Sequence, residues 1–213
     1  MKKIAIYGAG GFGREVACLI NKINEVSREW DIIGFFDDGI PIGTRNEYGE
    51  VLGGMLEINS HIEKLALVIA IASPKIVEKI VQNIKAPNVY YPNIIAPDVI
   101  FLDKNNVRIG NGNILCSGCL LSCNVTLGNF NILNGFVPIG HDTIVGDYNS
   151  IMPSVKISGE VIIGNRNFFG VNSVVLQQIK IGNDTVIGAS SLILKETKDG
   201  ATYIGNPASI LKY

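Results

Sequence analysis

The sequence predicts a two-domain protein in which an α/β domain over residues 1–92 precedes an all-β parallel β-helix over residues 93–213. Three observations predict this fold class. Large apolar residues recur at every sixth position from 109 to 193, glycine follows eight of these fifteen residues, and the first 92 residues alternate between strand and helix patterns. The first two observations indicate short strands joined by tight corners, and the third indicates a small parallel sheet.

The first domain is predicted from apolar segments of two kinds. Strand patterns cover Lys3–Tyr7, Ile32–Phe36 and Leu65–Ala72, and helical spacing covers Gly13–Ile23 and Pro74–Ile84, the latter with proline where a helix tolerates it. This alternation predicts a parallel sheet with helices on its faces. The region has room for about three or four strands.

The second domain is predicted from the sixfold repeat of apolar anchor residues. The anchors are Ile109, Leu115, Leu121, Leu127, Leu133, Ile139, Val145, Ile151, Ile157, Ile163, Phe169, Val175, Ile181, Ile187 and Ile193. An α-helix turns by about 100° per residue, so a six-residue step cannot build one apolar stripe. We therefore expect a three-sided coil of about 18 residues per turn, with each anchor pointing inward. The glycine after many anchors is expected to relieve the sharp corner.

Composition excludes several classes of function. The formal net charge is −1, from 18 basic and 19 acidic residues, so no nucleic-acid-binding surface is predicted. No apolar stretch is long enough for a membrane span, and the start of the chain is interpreted as a strand instead of a signal peptide. Cys116, Cys119 and Cys123 have a spacing that could suit zinc, but no fourth ligand lies nearby. We predict free thiols in a reducing cytoplasm and no metal site.

A glycine-rich motif suggests a phosphate site in the first domain, which we therefore expect to be Rossmann-like. Residues 8–13 match G-x-G-x-x-G between a predicted strand and helix, and would offer backbone N–H groups and a helix N-terminus to a diphosphate. The Asp37-Asp38 pair could accept hydrogen bonds from a base such as uracil, or could be a solvated turn. Dinucleotide enzymes share the motif, but this region is too short for a second mononucleotide half.

His141 is the residue best suited to proton transfer. The chain has two histidines, and His141 follows an anchor in an Ile-Gly-His-Asp sequence at a predicted corner of the coil. A neutral imidazole can take a proton from an attacking amine, and Asp142 could fix its tautomer. The alternative is a surface histidine at a turn, which is also how we interpret His61. No nucleophile elbow is found, so any transfer is expected to be direct, with Gly170 as a candidate oxyanion donor.

Several motifs give the chain a resemblance to a known family over nearly its whole length. They are GAGGFGREV at 8–16, FFDD at 35–38, IAIASPK at 69–75, IGHDTIVGD at 139–147, IIGNRNFFGVNS at 162–173 and IGNPA at 204–208. The chain resembles the hexapeptide-repeat acyltransferases, and among them the bacterial sugar acetyltransferases of the bacillosamine and perosamine pathways and their sialic acid O-acetyltransferase relatives. The resemblance implies a left-handed β-helix.

The resemblance also implies a set of site residues. His141 and Asp142 would be the catalytic pair. Acetyl-CoA, as cosubstrate, would contact Ser150, Val171 and Ala189, with Gly170 beside them. The nucleotide sugar would contact Gly10, Gly11, Phe12, Asp37, Asp38 and Ala72. The family further implies a homotrimer with CoA in the groove between two subunits.

Three functions are consistent with these features. The first is acetyl-CoA-dependent N-acetylation of the 4-amine of a nucleotide-linked 4-amino-4,6-dideoxysugar in cell-surface glycan biosynthesis. The second is O-acetylation of sialic acid or a related sugar, which would not need the diphosphate site. The third is a binding protein in which the β-helix is only a scaffold.

Overall fold

The computed structural model describes residues 1–211 and divides into two compact units, Met1–Pro97 and Asp98–Tyr213. The sequence places the boundary between residues 92 and 93. The first unit is α/β and the second consists almost wholly of short parallel strands, which confirms the predicted fold class.

The first unit is a sheet with three helices. Its elements are β1 (Lys2–Tyr7), α1 (Gly11–Val26), β2 (Trp30–Phe36), β3 (Arg45–Asn46), β4 (Gly49–Gly53), α2 (Met55–Asn59), β5 (Leu65–Ile69), α3 (Pro74–Asn83), β6 (Val89–Tyr90) and β7 (Ile94–Ile95). Six of the strands form a sheet in the order β3-β4-β2-β1-β5-β6, and only the β3–β4 pair is antiparallel. The central strands are therefore parallel, as predicted.

The sheet is larger than the sequence predicts because its outer strands give little local signal. β3 and β6 have two residues each, too few to display an alternating pattern, and β4 has a glycine at each end. The five-residue helix α2 is likewise too short to show a 3.6-residue period. The long elements β1 and α1 lie where predicted, and every residue from Ile4 to Tyr7 is at most 1% exposed.

Over residues 98–211, the second unit contains one short 3₁₀ turn, Lys104–Asn106, and eighteen strands. The strands are β8 (Ile100–Phe101), β9 (Arg108–Ile109), β10 (Ile114–Leu115), β11 (Leu120–Leu121), β12 (Thr126–Leu127), β13 (Ile132–Leu133), β14 (Pro138–Ile139), β15 (Ile144–Val145), β16 (Ser150–Ile151), β17 (Lys156–Ile157), β18 (Ile162–Ile163), β19 (Phe168–Phe169), β20 (Val174–Val175), β21 (Lys180–Ile181), β22 (Val186–Ile187), β23 (Leu192–Ile193), β24 (Thr202–Gly205) and β25 (Ala208–Ile210). Most are two residues long, and successive strands from β8 to β24 belong to different sheets, whereas β25 pairs with β24.

Three sheets of parallel strands form the sides of the prism, and one of them ends with an antiparallel strand, β25. Sheet I contains β8, β11, β14, β17, β20 and β23; sheet II contains β9, β12, β15, β18 and β21; sheet III contains β10, β13, β16, β19, β22, β24 and β25. Within sheet II, Arg108 pairs with Thr126, Thr126 with Ile144 and Ile144 with Ile162, a constant step of 18 residues. One coil is therefore three hexapeptides, as the periodicity predicts.

The anchor residues fill the prism. Fourteen of the fifteen are at most 3% exposed, and the exception, Ile109 at the first coil, is half-buried. Burying an aliphatic side chain contributes about 1.5–3 kcal/mol, so the three columns of anchors, one from each sheet, are the main apolar stabilisation of the unit.

The corners are formed differently from the sequence-based expectation. The backbone is left-handed, with φ between 53° and 74°, at every sixth residue from 112 to 190, three positions after each anchor from Ile109 to Ile187. These residues are Gly112, Gly118, Asn124, Phe130, Phe136, Asp142, Tyr148, Ser154, Glu160, Arg166, Asn172, Gln178, Asp184 and Ser190. Only two of the fourteen are glycine, and none is β-branched, the type least tolerant of φ > 0. The prediction that the glycine after each anchor relieves the corner is therefore wrong.

Those glycines instead allow coils to stack closely. In the column Gly110, Gly128, Gly146 and Gly164, a Cβ atom on each would lie 2.6–2.7 Å from the carbonyl oxygen of the glycine 18 residues later. Real Cβ atoms do not approach backbone that closely, so a side chain there would force adjacent coils apart.

A ladder of buried asparagines ties the coils together inside the prism. Asn113, Asn131, Asn149 and Asn167 are each fully buried and are 18 residues apart. The side-chain oxygen of each accepts hydrogen bonds from the backbone and side-chain amides of the next asparagine, at 2.9–3.2 Å. The ladder ends where Thr185 donates its backbone N–H to Asn167, at 2.8 Å. Its polar atoms are satisfied without water, as burial requires.

Asn149→Ala should destabilise the protein because it removes a member from the middle of this ladder. Four side-chain hydrogen bonds disappear and buried groups of both neighbouring asparagines lose their partners. We expect a loss of about 3 kcal/mol or more in the free energy of unfolding, measured by urea denaturation. The exposed Gln177→Ala is the control, with an expected change below about 0.5 kcal/mol. Equal midpoints for the two variants would contradict a stabilising ladder.

Candidate active site

The predicted nucleotide-sugar residues gather at one edge of the first unit's sheet. β2, β1 and β5 are neighbours and parallel, so their carboxyl ends lie side by side. Gly10–Phe12 follow β1, Asp37 and Asp38 follow β2, and Ala72 lies shortly after β5. In open α/β sheets, ligands bind at this edge.

The glycine-rich loop contains two kinds of glycine. At Gly13 a Cβ would collide with the carbonyl of Gly8, so Gly13 is needed for helix α1 to pack against the end of β1. A Cβ on Gly10 or Gly11 would meet no atom within 4 Å, so both residues face open space at the start of the helix. Because the first N–H groups of a helix lack intrahelical partners, this open end can hold an anion.

Both carboxylates of the Asp37-Asp38 pair already hold backbone in place. Asp37 accepts from the N–H groups of Ala9 at 2.9 Å and Gly39 at 2.8 Å. Asp38 accepts from the Tyr7 hydroxyl at 2.6 Å and the Met55 N–H at 2.8 Å. Burial, together with Asp38, raises the pKa of Tyr7 well above its usual value, so the phenol stays a donor. Each oxygen keeps a second lone pair that a base could use.

A cavity of about 540 Å³ lies beside this pair of carboxylates, of a size suited to a small ligand. Its remaining lining is contributed by Gly39, Met55, Ile71, Ile76, Lys79, Ile80 and Asn83, in addition to Tyr7, Asp37 and Asp38. Sequence reasoning missed this set because its members come from α2, α3 and a loop. The polar side chains Lys79 and Asn83, four residues apart on α3, are the signal that could have been noticed.

In the second unit, His141 and Asp142 lie on the edge of the prism between sheets I and II. The imidazole Nδ1 is 2.8 Å from the Asp142 Oδ2, and both side chains are about half exposed, at 53% and 48%. Hydrogen bonds from Asn124 and His141 lower the pKa of the Asp142 carboxyl. An ionised carboxylate only accepts, so Nδ1 carries the proton and Nε2 of the neutral ring keeps a lone pair.

Gly159 leaves the space that the His141 ring occupies. It lies 18 residues after His141, in the next coil, and a Cβ built on it would stand 2.5 Å from Nε2 and 2.7 Å from Cε1. The basic nitrogen is therefore the ring atom nearest this glycine. Sequence reasoning did not identify Gly159, although the 18-residue step from His141 could have indicated it.

Within one subunit, the predicted acetyl-CoA contacts do not lie close to His141 in space. Val171 and Ala189 are both exposed on the edge between sheets III and I, and Ser150 is in strand β16 of sheet III, where it is 1% exposed. Sheet I separates that edge from the His141 edge. The N–H of Gly170 donates to the Ile187 carbonyl at 2.7 Å, so this donor is used between adjacent coils and does not fit an oxyanion role.

No metal-binding cluster is found among residues 1–211: no group of three or more His, Cys, Asp or Glu side chains is arranged to hold an ion. The four cysteines are all free, with Cys18 and Cys123 exposed and Cys119 buried. Burial raises the pKa of the Cys119 thiol to about 11. Within the same described range, no helix is long and apolar enough to cross a bilayer.

Comparisons with known proteins find relatives over nearly the whole chain. The model of the PglD N-terminal domain family matches residues 3–84. WeeI from Acinetobacter baumannii is 30% identical, with 99% of this chain and 100% of that chain covered and a TM-score of 0.89. The acetyltransferase domain of PglB from Neisseria gonorrhoeae, solved with acetyl coenzyme A, is 28% identical over 99% of both chains, with a TM-score of 0.87.

A perosamine N-acetyltransferase variant from Caulobacter crescentus, solved with CoA and GDP-perosamine, shares the fold at 23% identity. It covers 100% of this chain and 98% of its own, with a TM-score of 0.89. No curated sequence matches this chain significantly.

The α/β unit, the hexapeptide β-helix and these matches together place the chain among the sugar acyltransferases. The chain belongs to the hexapeptide-repeat sugar acetyltransferases of the bacillosamine and perosamine N-acetyltransferase type. Membership of this family confirms the predictions of an acyltransferase and of acetyl-CoA as its cosubstrate.

Gly159→Ala should displace the His141 imidazole because the new methyl group would overlap Nε2. A crystal structure of the variant should show the ring rotated out of contact with Asp142. Gly135→Ala is the control, since its methyl group would lie 3.6 Å from the nearest atom, the Ser117 carbonyl oxygen, an ordinary contact. An unmoved ring in the Gly159 variant would refute this packing.

The thiols should differ in reactivity with iodoacetamide. Cys18 and Cys123 are exposed and should be alkylated in the folded protein, whereas Cys119 should react only after unfolding because burial keeps its thiol protonated. Peptide mass spectrometry before and after adding urea measures the difference. Labelling of native Cys119 at the rate of Cys123 would contradict the buried position.

Proposed function

We propose that the protein transfers an acetyl group from acetyl-CoA to the 4-amine of a nucleotide-linked 4-amino-4,6-dideoxysugar, with His141 as general base. The observation that carries the proposal is the 2.8 Å contact between His141 Nδ1 and Asp142, because it leaves Nε2 as an acceptor on an exposed edge. Two kinds of relative support the substrates: one binds acetyl coenzyme A, and another binds CoA and GDP-perosamine.

The chemistry needs a base because a protonated amine has no lone pair for attack on a thioester. In the proposed step, the amine nitrogen forms a bond to the thioester carbonyl carbon while its proton passes to His141 Nε2. The C–S bond then breaks and the departing sulfur receives that proton, giving an N-acetyl sugar and CoA with a free thiol. Asp142 keeps Nδ1 protonated throughout and stabilises the transient imidazolium.

A direct transfer in a ternary complex is the simplest pathway. A covalent route would need a nucleophile activated by an adjacent base, and the sequence lacks a nucleophile elbow. The proposal therefore contains no acyl-enzyme.

The first unit supports a nucleotide-linked sugar as the acceptor. The open helix start at Gly10 and Gly11 offers N–H groups to a diphosphate, and Phe12 and Ala72 lie at the same sheet edge. The cavity beside Asp37 and Asp38 would hold the base. Free sialic acid has no diphosphate to occupy the helix start, so this site favours N-acetylation of a nucleotide sugar.

A homotrimer would complete the cosubstrate site. Val171 and Ala189 lie on a different edge of the prism from His141, so one chain alone cannot bring them to the same thioester. If three prisms pack side by side, the His141 edge of one copy can face the Val171 edge of another, with CoA between them. The free thiols favour a cytoplasmic location, where glycan precursors would be modified.

His141→Ala should lower kcat by about a thousandfold, since removal of a general base costs about 10²–10⁴ in rate. Binding of the nucleotide sugar, measured by calorimetry, should stay within about twofold because the diphosphate site is in the first unit. His61→Ala is the matched control and should retain full activity. Near-normal turnover by the His141 variant would place the base elsewhere.

A panel of acceptors with acetyl-CoA tests the substrate class, with release of the CoA thiol as the readout. Release with 4-amino nucleotide sugars supports the proposal. Release only with hydroxyl sugars such as sialic acid would replace it with O-acetylation, and no release with any acceptor would favour a binding protein.

A further inference from the structure

A third side chain extends the His141–Asp142 pair into the neighbouring coil. Asn124 lies 18 residues before Asp142, on the same edge of the prism. Its Nδ2 donates to Asp142 Oδ1 at 2.7 Å, while Asp142 Oδ2 accepts from His141 Nδ1 at 2.8 Å. The amide, the carboxylate and the imidazole therefore form one continuous hydrogen-bonded line.

Asp142 needs this second contact to stay in place. Its side chain is about half exposed, and an exposed carboxylate held by one hydrogen bond rotates easily. With one donor on each oxygen, rotation about the side-chain bonds breaks both contacts at once. The hydrogen bond from Asn124 is also the largest of the influences that lower the pKa of Asp142.

The corner geometry delivers Asn124 to this position. Both Asn124 and Asp142 have a left-handed backbone, with φ of 56° and 58°, and the Asp142 N–H donates to the Cys123 carbonyl at 3.0 Å. The two side chains consequently leave adjacent coils in the same direction. Asparagine both tolerates this conformation and supplies an amide donor.

We propose that Asn124 is a positioning residue, which fixes Asp142 so that the His141 ring stays in the Nδ1–H tautomer with Nε2 free to accept a proton. The role of that Nε2 in catalysis rests on the proposed function, whereas the state of the ring does not.

The chain contains a matched control on the same edge. Gln178 also has a left-handed backbone, with φ of 62°, and donates its side-chain amide to a carboxylate one coil away, Glu160, at 3.2 Å. Among residues 1–211, no side-chain hydrogen bond joins that pair to His141. Replacement of Asn124 or of Gln178 by glycine suits the left-handed backbone and removes one amide-to-carboxylate hydrogen bond.

The first experiment reads the imidazole directly, by ¹⁵N NMR of protein labelled at histidine, at a pH where the ring is neutral. With two histidines in the chain, His61→Gln assigns both signals. We expect the Nδ1–H tautomer for His141 in the unsubstituted protein and a mixture with the Nε2–H tautomer in Asn124→Gly. Asn124→Asp should change the populations of the two tautomers more than Asn124→Gly does, because it brings a second carboxylate against Asp142. Gln178→Gly should leave the His141 signals unchanged.

The second experiment measures turnover. Asn124→Gly should lower kcat by about 10- to 100-fold, with KM for acetyl-CoA within about twofold, because only the orientation of the base is disturbed. Gln178→Gly should stay within about twofold of the unsubstituted protein.

An unchanged His141 tautomer in both Asn124 variants would overturn the positioning role, whatever the rates. A tautomer shift in a protein that acetylates no sugar would uphold the positioning role and overturn the proposed function.

Discussion

Every feature of the second unit depends on the vertical register between coils, in which each residue lies over the one 18 positions earlier. The register is fixed by three interactions at once: backbone hydrogen bonds between the two-residue strands, the buried anchors, and the asparagine ladder inside the prism. A slip by one residue would expose the anchors and leave the asparagine amides buried without partners, so the alternatives are strongly disfavoured.

The same register brings His141, Asp142 and Asn124 together. The corner residues on an edge have a left-handed backbone conformation, which costs about 1 kcal/mol per residue. The hydrogen bonds between the strands on either side compensate for this cost. In return, side chains from adjacent coils meet at hydrogen-bond distance, as the His141, Asp142 and Asn124 group does. The imidazole is therefore oriented by the repeat itself, with an amide in one neighbouring coil and the clearance above Gly159 in the other.

The sequence predicts the β-helix well because one periodic signal, the anchor at every sixth residue, determines both the burial and the length of the coil. The corners were less predictable: the left-handed residues include Phe130, Arg166 and Gln178, and no composition rule marks such types as turn formers. The glycines after the anchors looked like turn residues, whereas their role is contact between coils, which a single coil does not reveal. In the first unit, the short outer strands and the residues lining the cavity depend on contacts distant in sequence. His141 was predictable because histidines are few, but Asn124 and Gly159 became visible only once coils were stacked.

The edge between sheets II and III illustrates what this arrangement permits. Phe130 and Tyr148 stack there with their rings nearly parallel, 5.4 Å between centroids, and in the following coils Arg166 pairs with Asp184 at 2.9 Å. An aromatic contact and an ion pair thus follow each other along one edge without any change in the backbone path. The corner positions along such an edge are therefore structurally equivalent. Evolution can exchange the side chain at one corner and alter only its contacts with the corners of the coils directly above and below.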